Sequence, residues 1–444
     1  MADIDVRLEQ LYEKIEQCIT IMRQEPDKYF VHPGKDFTRL RKISLRDLML
    51  FYIFKSGGSI HKELKRYYGI GCERPSASAF VQQSKKLKPE AFTLLASICG
   101  GCIKSDKKYH GYNLWAVDGT DLTVAKNKKE ETVIKLSNGT GNIIHNNLIY
   151  DLQGKQYINY FYQPKAKADE RNAMIKMLHS MKIDSPTILT ADRGYPGYNT
   201  FVHLQQIQNL KFVIRLKNEE LILLRDLPQK CELDTDLETT IVTSQKYKDT
   251  PGFTVIQKLQ KEYKKNGKPN RSSRQQWDFG EFFKFKIRVV RIEYSPGSFE
   301  TLFTNLPREE FGPDKLKEIY GLRWGIETSF RQLKYATGMM STNSKTVYSQ
   351  KKEILAKITA FNFLVAAANA VQIPKNNKNK LVYQINYTNF VDTVKDYIHG
   401  LMNAEEFEKE VLREMAPVRS ERKMKRPNTV IRKGYRSVMY RLAA

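Results

Sequence analysis

NLWAVDGTDL (113–122), NNLIYDLQG (146–154), QYINYFYQP (156–164), PTILTADRG (186–194) and KFVIRLK (211–217) are short apolar runs closed by turn-forming residues. That is the grammar of strands. Between the third and fourth runs, residues 168–181 carry helical spacing. Three successive strands, a helix and a further strand predict a mixed α/β sheet. Downstream, TLFTNLP (301–307) returns to strand. Between 219 and 299 the chain is rich in strands and loops. There Phe283, Phe285, Ile287 and Val289 alternate with Lys284, Lys286 and Arg288, which predicts a half-buried strand. Its basic outer face, together with the turn-rich loop 261–274, is expected to meet DNA.

Helices flank this region. Ser44 and Asp47 are spaced as a capping box opening residues 45–55. Gly57-Gly58 ends that helix, a second follows over 59–68, and a third begins near Ser76 and carries Lys85, Lys86 and Lys88. Three short helices with a basic last one suit a helix-turn-helix reader or a plain bundle. Helical patterning resumes at Pro313 and continues to about Leu412, ahead of a strongly basic tail expected to contact phosphate.

The whole chain narrows the classes. Its 444 residues carry a net charge of +25 with 41% hydrophobic residues. A folded protein with that surplus has a polyanionic partner, with DNA or RNA ahead of an anionic membrane. No uninterrupted apolar run reaches the roughly 18 residues of a membrane span; residues 358–371 read as a buried helix. The opening MADIDVRLEQ is acidic and amphipathic, unlike a signal peptide. A cytoplasmic, nucleoid-associated protein without membrane contact is expected. Five scattered cysteines argue against a disulfide framework, and Cys99-Gly-Gly-Cys102 lacks the second pair that a zinc site needs.

Asp118 ends the apolar run 114–117 and Asp192 ends the run 188–191. One carboxylate at a strand tip is ordinary turn chemistry. Two of them, followed by a helix bearing Glu327, make a set of hard oxygen ligands suited to Mg2+ or Mn2+. Two such ions can activate a nucleophile and stabilise the leaving oxygen of a phosphodiester. Asp121 is the rival for the first acid, on the opposite side of an extended strand. In YGLRWGIETSFRQLKY (320–335), helical spacing sets Tyr320, Arg323, Glu327 and Lys334 on one stripe, beside the apolar set Leu322, Ile326, Phe330 and Leu333. The guanidinium and ammonium suit phosphate oxygens. A solvated helix face bearing an Arg323–Glu327 ion pair is the plainer account of the same stripe.

Tyr320, Arg323, Glu327 and Lys334 match a Y-(2)-R-(3)-E-(6)-K signature, and AVDGTD and TADRGYPGY precede it in order. Over about 114–364 the chain therefore resembles the bacterial insertion-sequence transposases of family four, which are DDE transposases. The resemblance implies an α/β fold: a ribonuclease H-like catalytic core with an all-β insertion, flanked by helical regions. The expected divisions are a helical DNA-binding region at 1–105, core at 106–218 and 300–372, insertion at 219–299, and a C-terminal helical region with a basic tail at 373–444. It implies metal binding by Asp118, Asp192 and Glu327, with two ions per site. Tyr320, Arg323, Lys334 and Arg215 would grip phosphates near the cleaved end. The implied partner is double-stranded DNA, as transposon ends and target, held by a homodimer in the synaptic complex. Some members hold a flipped base on an aromatic ring; here Phe299 and Trp277 stand where a tryptophan just before LFTNLP is absent. Alternatives on the same residues are a domesticated nuclease and a DNA-binding protein without transposition activity.

Overall fold

In the computed structural model, residues 3–418 are described apart from 40, 72–73, 103–106, 137–138, 217–220, 225–226, 229, 257–263, 266–267, 270–276, 343, 372 and 374–381. Most of the loop 261–274 and nearly all of the basic tail lie outside the described residues.

Among those residues one sheet of ten strands dominates. The strands are β1 (Asn113–Val124), β2 (Val133–Leu136), β3 (Gly139–Asp151), β4 (Gln156–Pro164), β5 (Thr187–Ala191), β6 (Leu210–Leu216), β7 (Leu233–Val242), β8 (Phe253–Val255), β9 (Phe282–Ser295) and β10 (Ser298–Thr304). Their order is β2-β3-β1-β5-β6-β10-β9-β7-β8, with β4 also paired to β3. The three long strands β1, β3 and β4 form an antiparallel set: a short turn joins β3 to β4, and the link from β1 to β3 carries β2. β5 and β6 run parallel to β1 because helices α7 (Glu170–His179) and α8 (Tyr198–Gln206) carry the chain back across one face. The strands from 233 to 295 extend this same sheet through β10, which pairs antiparallel with β6.

The second face carries α9 (Pro313–Leu322), α10 (Trp324–Arg331) and α11 (Val347–Ala370). Alternation along β1 sorts its residues. Ala116, Leu122 and Val124 pack with Ile326, Phe330 and Ile358, while Trp115 and Val117 pack with Met174 and Phe201. The helices α1 (Asp3–Gln24), α2 (Pro26–Tyr29), α3 (Leu45–Phe54), α4 (Ile60–Tyr68), α5 (Ala77–Lys85) and α6 (Pro89–Cys102) share one apolar core with α11, α12 (Tyr387–Ile398) and α13 (Ala404–Arg413). The Ser44–Asp47 capping box is formed.

Helix α11 is long and apolar enough to cross a membrane, but 83% of its apolar window is buried inside the protein, so it is a core helix. Its buried charges explain how it holds its neighbours. Lys357 donates to the backbone oxygens of Ile53 and Lys55, and Lys352 donates to those of Ser84 and Leu87. These are carbonyls in and just past the last turns of α3 and α5, where backbone oxygens run out of regular helical donors. Glu353 accepts from Lys55 at 2.9 Å in the same buried layer.

Two expectations change here. The helix predicted across 313–335 breaks at Arg323 and finishes as a π-helical turn, Gln332–Ala336. Leu322, the last residue of the first segment, is 39% exposed, whereas Ile326, Phe330 and Leu333 are buried. Arg288 leaves the expected basic face. It is buried, pairs with Asp234 through two nitrogens at 2.6 and 2.8 Å, and donates to the backbone oxygens of Leu306 and Phe311. The reason is lateral: β7 lies beside β9 in a register that sets Arg288 opposite Asp236, one strand-face step from Asp234.

Candidate active site

β1 and β5 run side by side as far as Val117 opposite Ala191. The next residue after each is an aspartate, so Asp118, midway along β1 where its pairing with β5 ends, stands beside Asp192, the first residue past β5. Each is oriented by a nearby glycine. The Gly119 N–H donates to Asp118 Oδ1 at 2.8 Å, and the Gly194 N–H donates to Asp192 Oδ1 at 2.7 Å.

Asp118 is three-quarters or more covered, and its carboxyl is pushed up to about 7. Burial is the main cause; the Gly119 N–H opposes it, the negative charge of Asp192 adds to it, Arg323 opposes it, and Glu327 adds to it. The three acids predicted from sequence therefore share one electrostatic neighbourhood. Among the described residues, no three His, Cys, Asp or Glu side chains are already gathered as ligands of one ion. Arg323 explains the spacing. Its buried guanidinium bonds Glu327 Oε1 at 2.7 Å and stands 4.0 Å from Asp118 Oδ2, so it lies between the first and third acids.

The rest of the signature surrounds this pair. Arg323 also lies 5.5 Å from the ring centres of both Tyr320 and Trp324. Tyr320 is buried among Leu114, Ile188 and Val213, with its hydroxyl hydrogen-bonded to Arg215. Arg215 in turn pairs with Glu300 at 2.9 Å. The π-helical turn aims Lys334 back at the sheet, where Nζ donates to the Asp121 backbone oxygen at 2.8 Å. Burial lowers the Lys334 ammonium below its usual range. The stripe is thus half-buried, not a solvated helix face.

Asp121 is engaged elsewhere. It bonds His145 Nδ1 at 2.6 Å and Lys165 Nζ at 3.0 Å. Lys284 and Lys286 do stand on an exposed strand edge, where Lys286 pairs with Glu238 at 2.8 Å. Trp277 is buried against Phe279 and Phe283 and donates its indole N–H to the Gly280 oxygen, so it presents no free ring face. Phe299 is half-buried.

The sequence reading passed over four residues at the site: Trp324, Glu170, His145 and Tyr195. Trp324 is 44% exposed beside Arg323 and was legible as the aromatic next in sequence to a signature residue. Tyr195 was legible too, three residues after Asp192 within TADRGYPGY. Glu170 and His145 come from strand register and helix placement, for which the linear sequence carries no spacing.

The family model for the transposase DDE domain matches residues 109–363, more than half of the chain and the whole of the region just described. The chain belongs to the transposase DDE domain family. The family is one of enzymes that cleave DNA and transfer strands. No curated protein matches the chain. Among solved structures, a piggyBac transposase synaptic complex with hairpin DNA is similar at 11% identity and a TM-score of 0.42, over 82% of this chain and 70% of that one. A likeness this loose carries no argument about mechanism.

Proposed function

We propose that this protein is an insertion-sequence transposase of the family-four type, which binds the terminal inverted repeats of its element and cleaves and joins DNA through Asp118, Asp192 and Glu327. The observation that carries this reading is the convergence of these acids: two emerge from adjacent parallel strands, and the third is tied through Arg323 to the first. The strand order β4-β3-β1-β5-β6, with its antiparallel set and parallel pair, supports a ribonuclease H-like core. The engagement of Asp121 with His145 and Lys165 supports Asp118 as the first acid.

The donor set fits two Mg2+ or Mn2+ ions: it is all oxygen, and burial, with the charges of Asp192 and Glu327 adding to it, pushes the Asp118 carboxyl up to about 7, a cost that a bound cation relieves. When bound, such ions supply an activated nucleophile and charge neutralisation at the scissile phosphate. The chain's own groups do the rest. Arg323 is in place to exchange its carboxylate partners for phosphate oxygens. Lys334 adds a point charge to the strand backbone, and Tyr320 with Arg215 fixes the floor beneath it. Exposed Lys284 and Lys286 extend the DNA contact along β9. The working form is a homodimer that synapses two ends, acting in the cytoplasm at the nucleoid.

The test is single-turnover cleavage of a duplex carrying the element's end, with Mg2+. Asp118→Asn, Asp192→Asn and Glu327→Gln should each abolish cleavage while keeping end affinity, which rests on Lys and Arg contacts. Parental cleavage by any one of them removes that residue from the site.

A further inference from the structure

The opposite face of β1 carries a second charged group. His145 is buried on β3, directly across from Asp121 in the register. Its Nδ1 lies 2.6 Å from Asp121 Oδ1 and its Nε2 lies 2.9 Å from Glu170 Oε1. Glu170 is the first residue of α7, whose N-cap Asp169 accepts from the Asn172 N–H. The next residue, Arg171, donates through Nε to the Gly194 oxygen at 3.1 Å, which ties the start of α7 to the loop after Asp192.

Two glycines define where Glu170 ends. A Cβ on Gly119 would sit 2.7 Å from Glu170 Oε1 and 2.6 Å from His145 Nε2. A Cβ on Gly194 would sit 3.4 Å from Glu170 Oε2 and 3.0 Å from Asp192 Oδ1. One carboxylate therefore fills the notch left by the glycines that follow both aspartates. Tyr195 is fully buried, its hydroxyl has no hydrogen-bond partner among the described residues, and it feels the charges of Asp118, Glu170, Asp192 and Arg323. An orphaned buried phenol among four charged groups marks a place where a polar ligand completes the set.

We propose that Glu170 is an outer carboxylate of the metal site, accepting hydrogen bonds from water on the ion held by Asp118 and Asp192, and that His145 exists to hold it there. The Tyr195 hydroxyl serves the same water shell from below. This rests on the reading of Asp118 and Asp192 as ion ligands. Glu170 reaches the site around the tip of β5 from the α7 face, so it is a positioning residue. His145 stands between two carboxylates, hydrogen-bonded through Nδ1 to Asp121 and with Nε2 2.9 Å from Glu170 Oε1, so the Asp121 bond fixes the ring against Glu170.

The experiment is a Tb3+ luminescence titration of the full-length, DNA-free protein, with competition by Mg2+, and thermal melting as the folding control. Glu170→Gln should weaken ion binding by about tenfold at an unchanged melting temperature, as loss of an outer hydrogen-bond partner does. His145→Gln should weaken it in the same direction. Asp118→Asn is the benchmark. If Asp118→Asn weakens binding and Glu170→Gln binds as the parent does, the role of Glu170 is overturned while the ligand reading stands. If Asp118→Asn itself leaves binding unchanged, the ligand reading fails and this inference falls with it. Should Glu170→Gln fail to fold, Glu170→Asp retracts the carboxylate by one methylene at constant charge; parental affinity in that variant overturns the proposal equally.

Discussion

Asp118→Asn is expected to stabilise the metal-free protein while destroying its activity. The carboxyl is pushed from 3.8 up to about 7, first by burial and then by Asp192 and Glu327 against the pull of Gly119 and Arg323. Below about pH 4 the group is protonated both folded and unfolded, and it contributes nothing to pH dependence. Between there and about pH 7 the folded protein keeps a proton that the unfolded chain releases, so stability falls as pH rises. Above 7 the loss is complete. About three pH units at ~1.4 kcal/mol each set a ceiling of ~4 kcal/mol. Asparagine keeps the oxygen that accepts from the Gly119 N–H, but it removes the negative charge 4.0 Å from Arg323. Roughly half of the ceiling, ~2 kcal/mol, should remain at pH 8. At ~2 cal/mol/K per residue the unfolding entropy of this chain is ~0.9 kcal/mol/K, so the melting temperature should rise by ~2 °C. The assay is thermal melting of both proteins in EDTA at pH 8 and pH 5. Between pH 8 and pH 5 the parent regains ~2.5 kcal/mol of this loss while asparagine does not titrate, so the gap should close at pH 5. A gap of zero at pH 8, or one equally wide at both pH values, would refute the reasoning.

Other outcomes follow from the same geometry. Arg323→Lys keeps the charge but loses the planar fork that reaches Glu327 and Asp118 at once, and should lower single-turnover cleavage of a pre-bound end about tenfold, ~1.4 kcal/mol of positioning; parental rates would make the fork irrelevant to the chemistry. Arg288→Ala should cost about 3 kcal/mol, because two backbone oxygens lose their donor and Asp234 keeps only Arg308. Its end affinity and salt slope should match the parent's, and a flattened slope at unchanged melting temperature would return Arg288 to the DNA surface.

Local pattern carried a large share of this protein. Strand grammar placed the runs that became β1, β3, β4, β5 and β6, because alternation and turn residues are properties of neighbouring positions. The same locality singled out Asp118 and Asp192 and put Arg323, Glu327 and Lys334 within helical reach of one another. Asp192 does follow a strand end, whereas Asp118 lies mid-strand because β1 runs on to Val124 against β3. Locality also set the errors. A uniform helix across 313–335 buries Leu322; in the structure the hydrogen bonds tighten around Arg323, which keeps helical dihedrals, and Leu322 is left 39% exposed. Strict alternation puts Arg288 beside Lys284 and Lys286, but whether a strand face is wet depends on what covers it. Asp234 and the oxygens of Leu306 and Phe311 arrive from other segments and turn an expected surface charge into a buried one. Glu170 and His145 had no sequence signal, because only the β1–β3 register and the placement of α7 bring them to the glycines after the two aspartates. The sequence by itself determined the class of sheet and the chemical character of the acids, since those follow from residue type and short-range period. Only the tertiary structure decided which charges face solvent, which pair with one another and which flank the site, because those depend on contacts between segments distant along the chain.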